Sequence, residues 1–341
     1  MRCVLHIGTE KTGSTAIQQY LYANREELRK VGVCKSLSAG NINNRALPAA
    51  FIPDNMADDF LKARELVSLQ QRHNWKAQFL RDFTAEIRSA SEWADVFVIS
   101  SEHFHSRLLH IDKVTALHEF LAPLCDDITI ICYLRRQDQM ALSLYSQVLR
   151  AGYVPQTILP TQWTEEQDIY FDFERLLDRW AQGFGENNCV PRIYSRTDLV
   201  NGDVVADFLQ TAAICISPIA TTAKSNPALS AAAQAALLQV NARLQNDDSA
   251  TTRSLRAKFV KYLEEISAGA GALPTRAEAS TFYSAFKPSN NAVARRWFGR
   301  DELFDSGFLE YPETADNHAI EEGVDLWEQF ISQEGGDTQQ R

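Results

Sequence analysis

Gly8, Lys11, Thr12, Gly13, Ser14 and Thr15 fall within one short stretch, directly after the apolar run Val4-Leu5-His6-Ile7. Residues of these types can bind an anion. The free N–H groups at a helix start and the positive end of its dipole converge on one point, and a lysine adds full charge. Gly8 and Gly13 let the backbone turn and approach the anion closely. The order is strand, phosphate loop, helix. In the Walker A pattern, Lys follows the last Gly, and Ser or Thr follows the Lys to hold magnesium. Here Ser14 stands where that Lys belongs, and Lys11 lies inside the loop, two residues before Gly13. Metal-assisted ATP chemistry is disfavoured, and no metal ligands are expected.

Three further stretches carry chemistry. The β-branched run Ala94–Ser100 suits an interior parallel strand and ends in Ser101-Glu102-His103-Phe104-His105. Ligands of open α/β sheets bind beyond the carboxyl ends of strands, so these side chains reach the same edge as Lys11. Glu102 is the first choice for a general base, because a carboxylate beside a bound anion in a dry cleft has its protonated form favoured. His103 and His105 are its rivals. The strand Asp127–Leu134 ends at Arg135-Arg136, and the helix Gln137–Arg150 that follows carries Ser143. A strand-end guanidinium and a helix hydroxyl can share one phosphate. Late in the chain, Ser289 or Asn290 is placed to cap a helix, with Arg295, Arg296 and Trp297 to supply charge and a stacking face.

The loop Gly-x-x-Lys-Thr-Gly-Ser-Thr resembles the 5′-phosphosulfate loop of sulfotransferases that use 3′-phosphoadenosine 5′-phosphosulfate (PAPS). Arg135, with Ser143 eight residues on, is similar to the pair that binds the 3′-phosphate in that family. The resemblance covers about Val4 to Leu209 and, more loosely, the segment near Asn290. It departs at Arg136-Gln137, where many members have Asp-Pro. It implies transfer of a sulfuryl group from PAPS to a hydroxyl or amine of an acceptor, by analogy a glycan, a lipid-linked sugar or a small metabolite. Lys11 would stabilise the leaving group, the Thr12–Thr15 amides and hydroxyls would hold the 5′-phosphate, and Glu102 would take the acceptor proton. Asn290 and Arg295 would belong to a basic loop over the 3′-phosphate and adenine. A phosphotransferase with an atypical loop and a non-catalytic nucleotide-binding protein are the alternative readings.

The elements needed to hold these groups give an α/β fold of the P-loop NTPase-like, three-layer kind: a central, mostly parallel sheet flanked by helices, plus a C-terminal helical annex. Residues 1–215 are expected to form the PAPS-binding core, and residues 216–341 an annex packed on it that completes the cleft. Helices are expected over Ala16–Leu28, Met56–Gln71 and Trp75–Ala90. With 341 residues and 45% hydrophobic content there is ample material for a core. The net charge of −10 argues against nucleic acid and against charge-driven docking on an anionic membrane. The six cysteines are scattered, without CxxC pairs, and read as small core residues. No basic leader with an apolar segment, and no apolar run of roughly 20 residues, is visible. A cytoplasmic enzyme without a transmembrane segment is expected.

Overall fold

The computed structural model describes residues 1–341 except 57, 162–163, 217–227, 246, 248, 306, 315–317 and 339–341. Five strands build one parallel sheet: β1 (Arg2–Gly8), β2 (Val33–Lys35), β3 (Val96–Ser100), β4 (Asp127–Leu134) and β5 (Cys189–Ile193), in the order β2-β3-β1-β4-β5. The runs that read as buried strands are buried. Val96 to Ser100 are all inaccessible or nearly so, as are Cys3 to Gly8, because helices cover both faces of a parallel sheet. Pro191, which has no N–H for a ladder, sits in the edge strand β5 as its chemistry requires.

This order fixes where a ligand would go. The chain leaves β1 on one side to make β2 and β3, then crosses over to make β4 and β5 on the other. The connection reverses at β1, and the crevice at such a switch point opens beyond the carboxyl ends of the strands. Among the described residues, His6 is paired with Ser100 of β3 on one side and Ile131 of β4 on the other. The loop after β1, the turn after β3 and the residue after β4 therefore emerge side by side.

Two helical boundaries differ from the expected ones. The run expected as one helix over Ala16–Leu28 is split into Ser14–Ala23 and Arg25–Lys30, and the Asn24 amide at the break donates to the Tyr20 carbonyl at 3.0 Å. The helices expected over Met56–Gln71 and Trp75–Ala90 are instead a single turn, Asp59–Lys62, and one long helix, Leu69–Ser91. Ser68 and Gln71 form a capping box that starts the long helix, so Gln71 opens a helix where it was expected to close one.

The chain divides into two compact units. The first comprises Met1–Arg135, Thr164–Ala223 and Ser289–Leu303, and contains the whole sheet. The second comprises Arg136–Trp163, Lys224–Pro288 and Phe304–Arg341. The expected cut at 215/216 falls at 223/224 instead, and it differs in two further places. Residues 136–163 belong with the later helices, and residues 289–303 belong with the sheet. The second unit is built on Leu149, Leu237, Val240, Phe259, Leu263 and Phe330. Its first helix, Gln137–Arg150, is closed by Asn241, whose amide donates to the carbonyls of Leu149 at 2.8 Å and Tyr153 at 3.0 Å. Arg136 is buried there on Asp138, with both bonds at 2.8 Å, and also meets Glu310.

In the first unit, Val204 and Phe208 of the helix Val204–Thr211 and Ile17 and Leu21 of Ser14–Ala23 pack on Val4, Val98, Ile131 and Tyr133. The same helix carries Asp207, a buried carboxylate that accepts from Tyr133 Oη at 2.8 Å, Arg192 Nε at 3.0 Å and the Val200 N–H at 3.1 Å. Burial would raise its pKa, but the Arg192 guanidinium and these hydrogen bonds outweigh burial and hold it below the usual range. Asp207→Ala is expected to cost about 2–3 kcal/mol at neutral pH, because it orphans a buried phenol and a guanidinium. The folded-state pKa is depressed, so this stability is present above the ordinary value of about 3.9 and is lost as pH falls through the folded value. Urea titrations at pH 7 and in acid check this: the gap between variant and parent should narrow at low pH.

Candidate functional site

The loop after β1 turns on two glycines with positive φ. Gly13 caps the helix Ser14–Ala23 in the left-handed conformation, φ 77°, and the first helical turn holds no acidic side chain. Gly8 has φ 96°, and a Cβ there would meet Glu102 Cα at 3.1 Å. Any larger residue at position 8 would push the turn after β3 away from the loop. The chain needs glycine at both positions for conformation, and at Gly8 also for this close approach.

Between the glycines, Lys11 is itself left-handed, with φ 65°. For a residue with a Cβ this costs roughly 1–2 kcal/mol. Arg135 offsets it: its Nη1 donates to the Lys11 carbonyl at 2.9 Å, and a hydrogen bond to a charged group contributes about 1.5–3 kcal/mol. Thr9 is fixed to β4 by its N–H and its hydroxyl, which both donate to the Tyr133 carbonyl, at 2.9 and 3.0 Å. Thr12 Oγ1 and Ser14 Oγ both donate to the Thr9 carbonyl, at 2.6 and 3.4 Å. Those two buried hydroxyls, expected on a 5′-phosphate, close the loop instead, and the exposed Thr15 keeps its place at the helix start.

Glu102 stands at the end of β3, half-buried, as the residue before the helix His103–Arg107, and its side chain does not cap that helix. Its Oε2 accepts from Gln18 Nε2 at 2.7 Å and from Asn43 Nδ2 at 3.0 Å. Gln18 lies on the helix that follows the phosphate loop, and Asn43 on the loop after β2. The carboxylate is thus tied to both neighbours of β3's end. The 36–45 loop is seated by its neighbour Asn44, which accepts from the Ser100 N–H at 2.8 Å.

The two histidines part company. His105 is fully buried and its Nε2 lies 2.9 Å from the Tyr170 carbonyl, which can only accept, so Nε2 carries the proton. Burial pushes its pKa down to about 4. It is a neutral packing and hydrogen-bonding residue, not a base open to an acceptor. His103 is half-buried, and its pKa is also lowered, by burial and then by the Arg45 charge. It faces Glu102 and Glu10 electrostatically and stays beside the site.

Arg135 lies at the loop, where its guanidinium also sits 5.6 Å from the centre of the Tyr194 ring. Tyr194 follows β5, and its hydroxyl would lie 3.3 Å from a Cβ on Gly13. Ser143 is half-buried on Gln137–Arg150, in the second unit. The late segment does not match the expected loop. Asn290 is fully buried inside the helix Lys287–Val293, not capping it. Ser289 Oγ donates to Asp172 and accepts from the Glu174 N–H, which ties the segment to the helix Phe173–Phe184. Arg295 is exposed, 4.0 Å from Asp301, and Arg296 is held by Asp178 and Glu186.

Three polar partners in this region had no assigned role in the sequence. Gln18 follows Ser14 by one helical turn, a spacing that could have flagged it. Asn43 and Tyr170 give no local signal, because only the fold brings them to the carboxylates they touch.

No family model matches the chain, and no solved structure matches it. A protein of Archaeoglobus fulgidus described only as uncharacterized is 31% identical over 214 residues, covering 61% of this chain and 55% of the relative. The chain therefore spans about half the length of that relative.

Proposed function

We propose that this chain is a PAPS-dependent sulfotransferase of the P-loop type that moves a sulfuryl group to a hydroxyl or amine of a glycan, lipid-linked sugar or similar acceptor. One observation carries the reading. The Lys11 loop, Glu102 and Arg135 stand at the carboxyl ends of β1, β3 and β4, three adjacent strands, with Gly8 in contact distance of Glu102 and Arg135 bonded to Lys11. A lysine-bearing anion grip, a carboxylate and a guanidinium in one crevice suit a donor with two anionic ends and an acceptor that must lose a proton.

In this reading the acceptor oxygen attacks sulfur while Glu102 takes its proton. The bond from sulfur to the bridging oxygen breaks, and adenosine 3′,5′-bisphosphate leaves with its new charge facing Lys11 and the N–H groups before Ser14–Ala23. Gly8 and Gly13 leave room at the loop, and Arg135 is within reach of the same anion while it holds the Lys11 carbonyl. The cytoplasm is the proposed place of action.

Titration calorimetry without metal tests the donor. Adenosine 3′,5′-bisphosphate is expected to bind more tightly than ADP with Mg²⁺, and Arg135→Ala to weaken the bisphosphate by at least about tenfold. AMP, which lacks the 3′-phosphate, serves as the control. If Arg135 reads the 3′-phosphate, the variant loses the preference for bisphosphate over AMP; if it only braces the loop, both ligands weaken equally. A preference for ADP with Mg²⁺ would overturn the proposal in favour of a phosphotransferase.

A further inference from the structure

Glu10 lies beside Lys11 in an anion-binding loop, where a second negative charge is the wrong sign for the ligand. It is nonetheless retained and half-buried. Its Oε2 accepts from Tyr170 Oη at 2.9 Å. Burial would raise its pKa, but hydrogen bonding, which the Tyr170 hydroxyl provides, holds it below the usual carboxylate range. Tyr170 is fixed in turn. Its carbonyl takes the His105 Nε2 proton, and its ring lies 4.4 Å from the imidazole and 5.1 Å from the Phe171 ring. Burying a charge is costly unless it is paired and hydrogen-bonded, and the Tyr170 hydroxyl supplies a hydrogen bond to this one.

The position of this network in the loop matters more than its strength. Lys11 has a left-handed backbone. On its downstream side, the carbonyl is clamped by Arg135. On its upstream side, the preceding residue is clamped through its side chain by Tyr170. The Lys11 Cα is thus held from both sides, by β4's end and by the helix Glu165–Phe171.

We infer that Glu10 and Tyr170 are positioning residues of the phosphate loop, whose hydrogen bond fixes the peptide that carries Lys11 and so aims its ammonium. The kinetic consequences rest on the proposed function; the mechanical claim does not. A donor fixed before the ligand arrives needs no reorganisation in the transition state, and small misplacements of such groups are expensive.

Amide hydrogen exchange on the full chain, compared among the parent, Tyr170→Phe, Glu10→Gln and Glu10→Ala, decides the matter. Tyr170→Phe and Glu10→Ala should speed exchange at Thr9, Ala16 and Ile17, whose bonded amides flank the loop, by about tenfold or more, the factor that about 1.4 kcal/mol of lost local bonding gives, while amides of β1 and β4 keep their rates. Glu10→Gln keeps an oxygen for the Tyr170 hydroxyl and should fall between. In release of bisphosphate from PAPS, Tyr170→Phe should lower kcat by about tenfold or more with a smaller change in KM for PAPS, because the aim of Lys11 counts most in the transition state. Unchanged exchange at Thr9, Ala16 and Ile17 in both Tyr170→Phe and Glu10→Ala, or an increase shared equally by the sheet, would overturn the inference. Localised exchange in a protein that binds no bisphosphate would leave the anchor standing and overturn the proposed donor instead.

Discussion

Glu102→Gln is expected to abolish most sulfuryl transfer while leaving donor binding intact. The substitution is nearly isosteric and keeps an oxygen to accept from Gln18 and Asn43, the two amides that hold Oε2 at 2.7 and 3.0 Å. The fold and the crevice should therefore survive, and the lost property is the capacity to take a proton. A positioned general base contributes about 10²–10⁴ in rate, so kcat should fall within that range. The measurement is release of adenosine 3′,5′-bisphosphate from PAPS with a glycan acceptor, alongside calorimetry with the bisphosphate. His105→Ala makes a poor comparison, because that ring is buried against Tyr170 and its loss would disturb packing. His103→Ala is the better control: its neighbour is the carboxylate, and kcat should drop by far less than in Glu102→Gln. A Glu102→Gln protein that turns over at a tenth or more of the parental rate, with His103→Ala inactive, would move the base to the imidazole.

Much of the placement of these side chains is legible in the sequence, for reasons of different kinds. The Gly8–Thr15 loop announced itself because the constraint is local: glycines at positions of positive φ, a helix start directly after, and a lysine between. The strand β4 was legible to the residue, since an unbroken apolar run flanked by charges has few other fates in an α/β chain. Glu102 and Arg135 followed from those strands, because the carboxyl ends of parallel strands share one edge. What the sequence could not show was pairing across distance. That Asn43 and Gln18 orient Glu102, or that Tyr170 reaches Glu10, depends on contacts spanning 59, 84 and 160 residues. The late Asn290–Arg295 stretch misled for the opposite reason. Its composition suits a phosphate, but in the folded chain Asn290 is buried within a helix and Arg296 is held by Asp178 and Glu186. The hydroxyls of Thr12 and Ser14 show the same limit: residue type marks them as phosphate ligands, and only the fold shows that both lie within reach of the loop's own Thr9 carbonyl.

Lys11→Met is expected to separate the two ways in which a lysine could serve this loop. Methionine keeps the length and apolar stem and removes the ammonium, and Arg135 can still bond the backbone carbonyl at position 11, so the loop should keep its shape. If Lys11 merely attracts anions, PAPS and adenosine 3′,5′-bisphosphate should weaken by the same factor and kcat should change little. If it stabilises the leaving group, the charge it meets is absent from the bridging oxygen of PAPS, develops in the transition state and is complete in the product. The variant should then bind PAPS almost as well as the parent, bind the bisphosphate clearly less well, and turn over about 10²–10³ times more slowly, the loss typical of removing one preorganised donor from a developing oxyanion. Product affinity and kcat should move together across Lys11→Met and Tyr170→Phe, since both alter the same contact, one by deletion and one by misdirection. Turnover of Lys11→Met within tenfold of the parent would show that the helix N-terminus and its N–H groups carry the leaving charge alone, and would remove Lys11 from the chemistry.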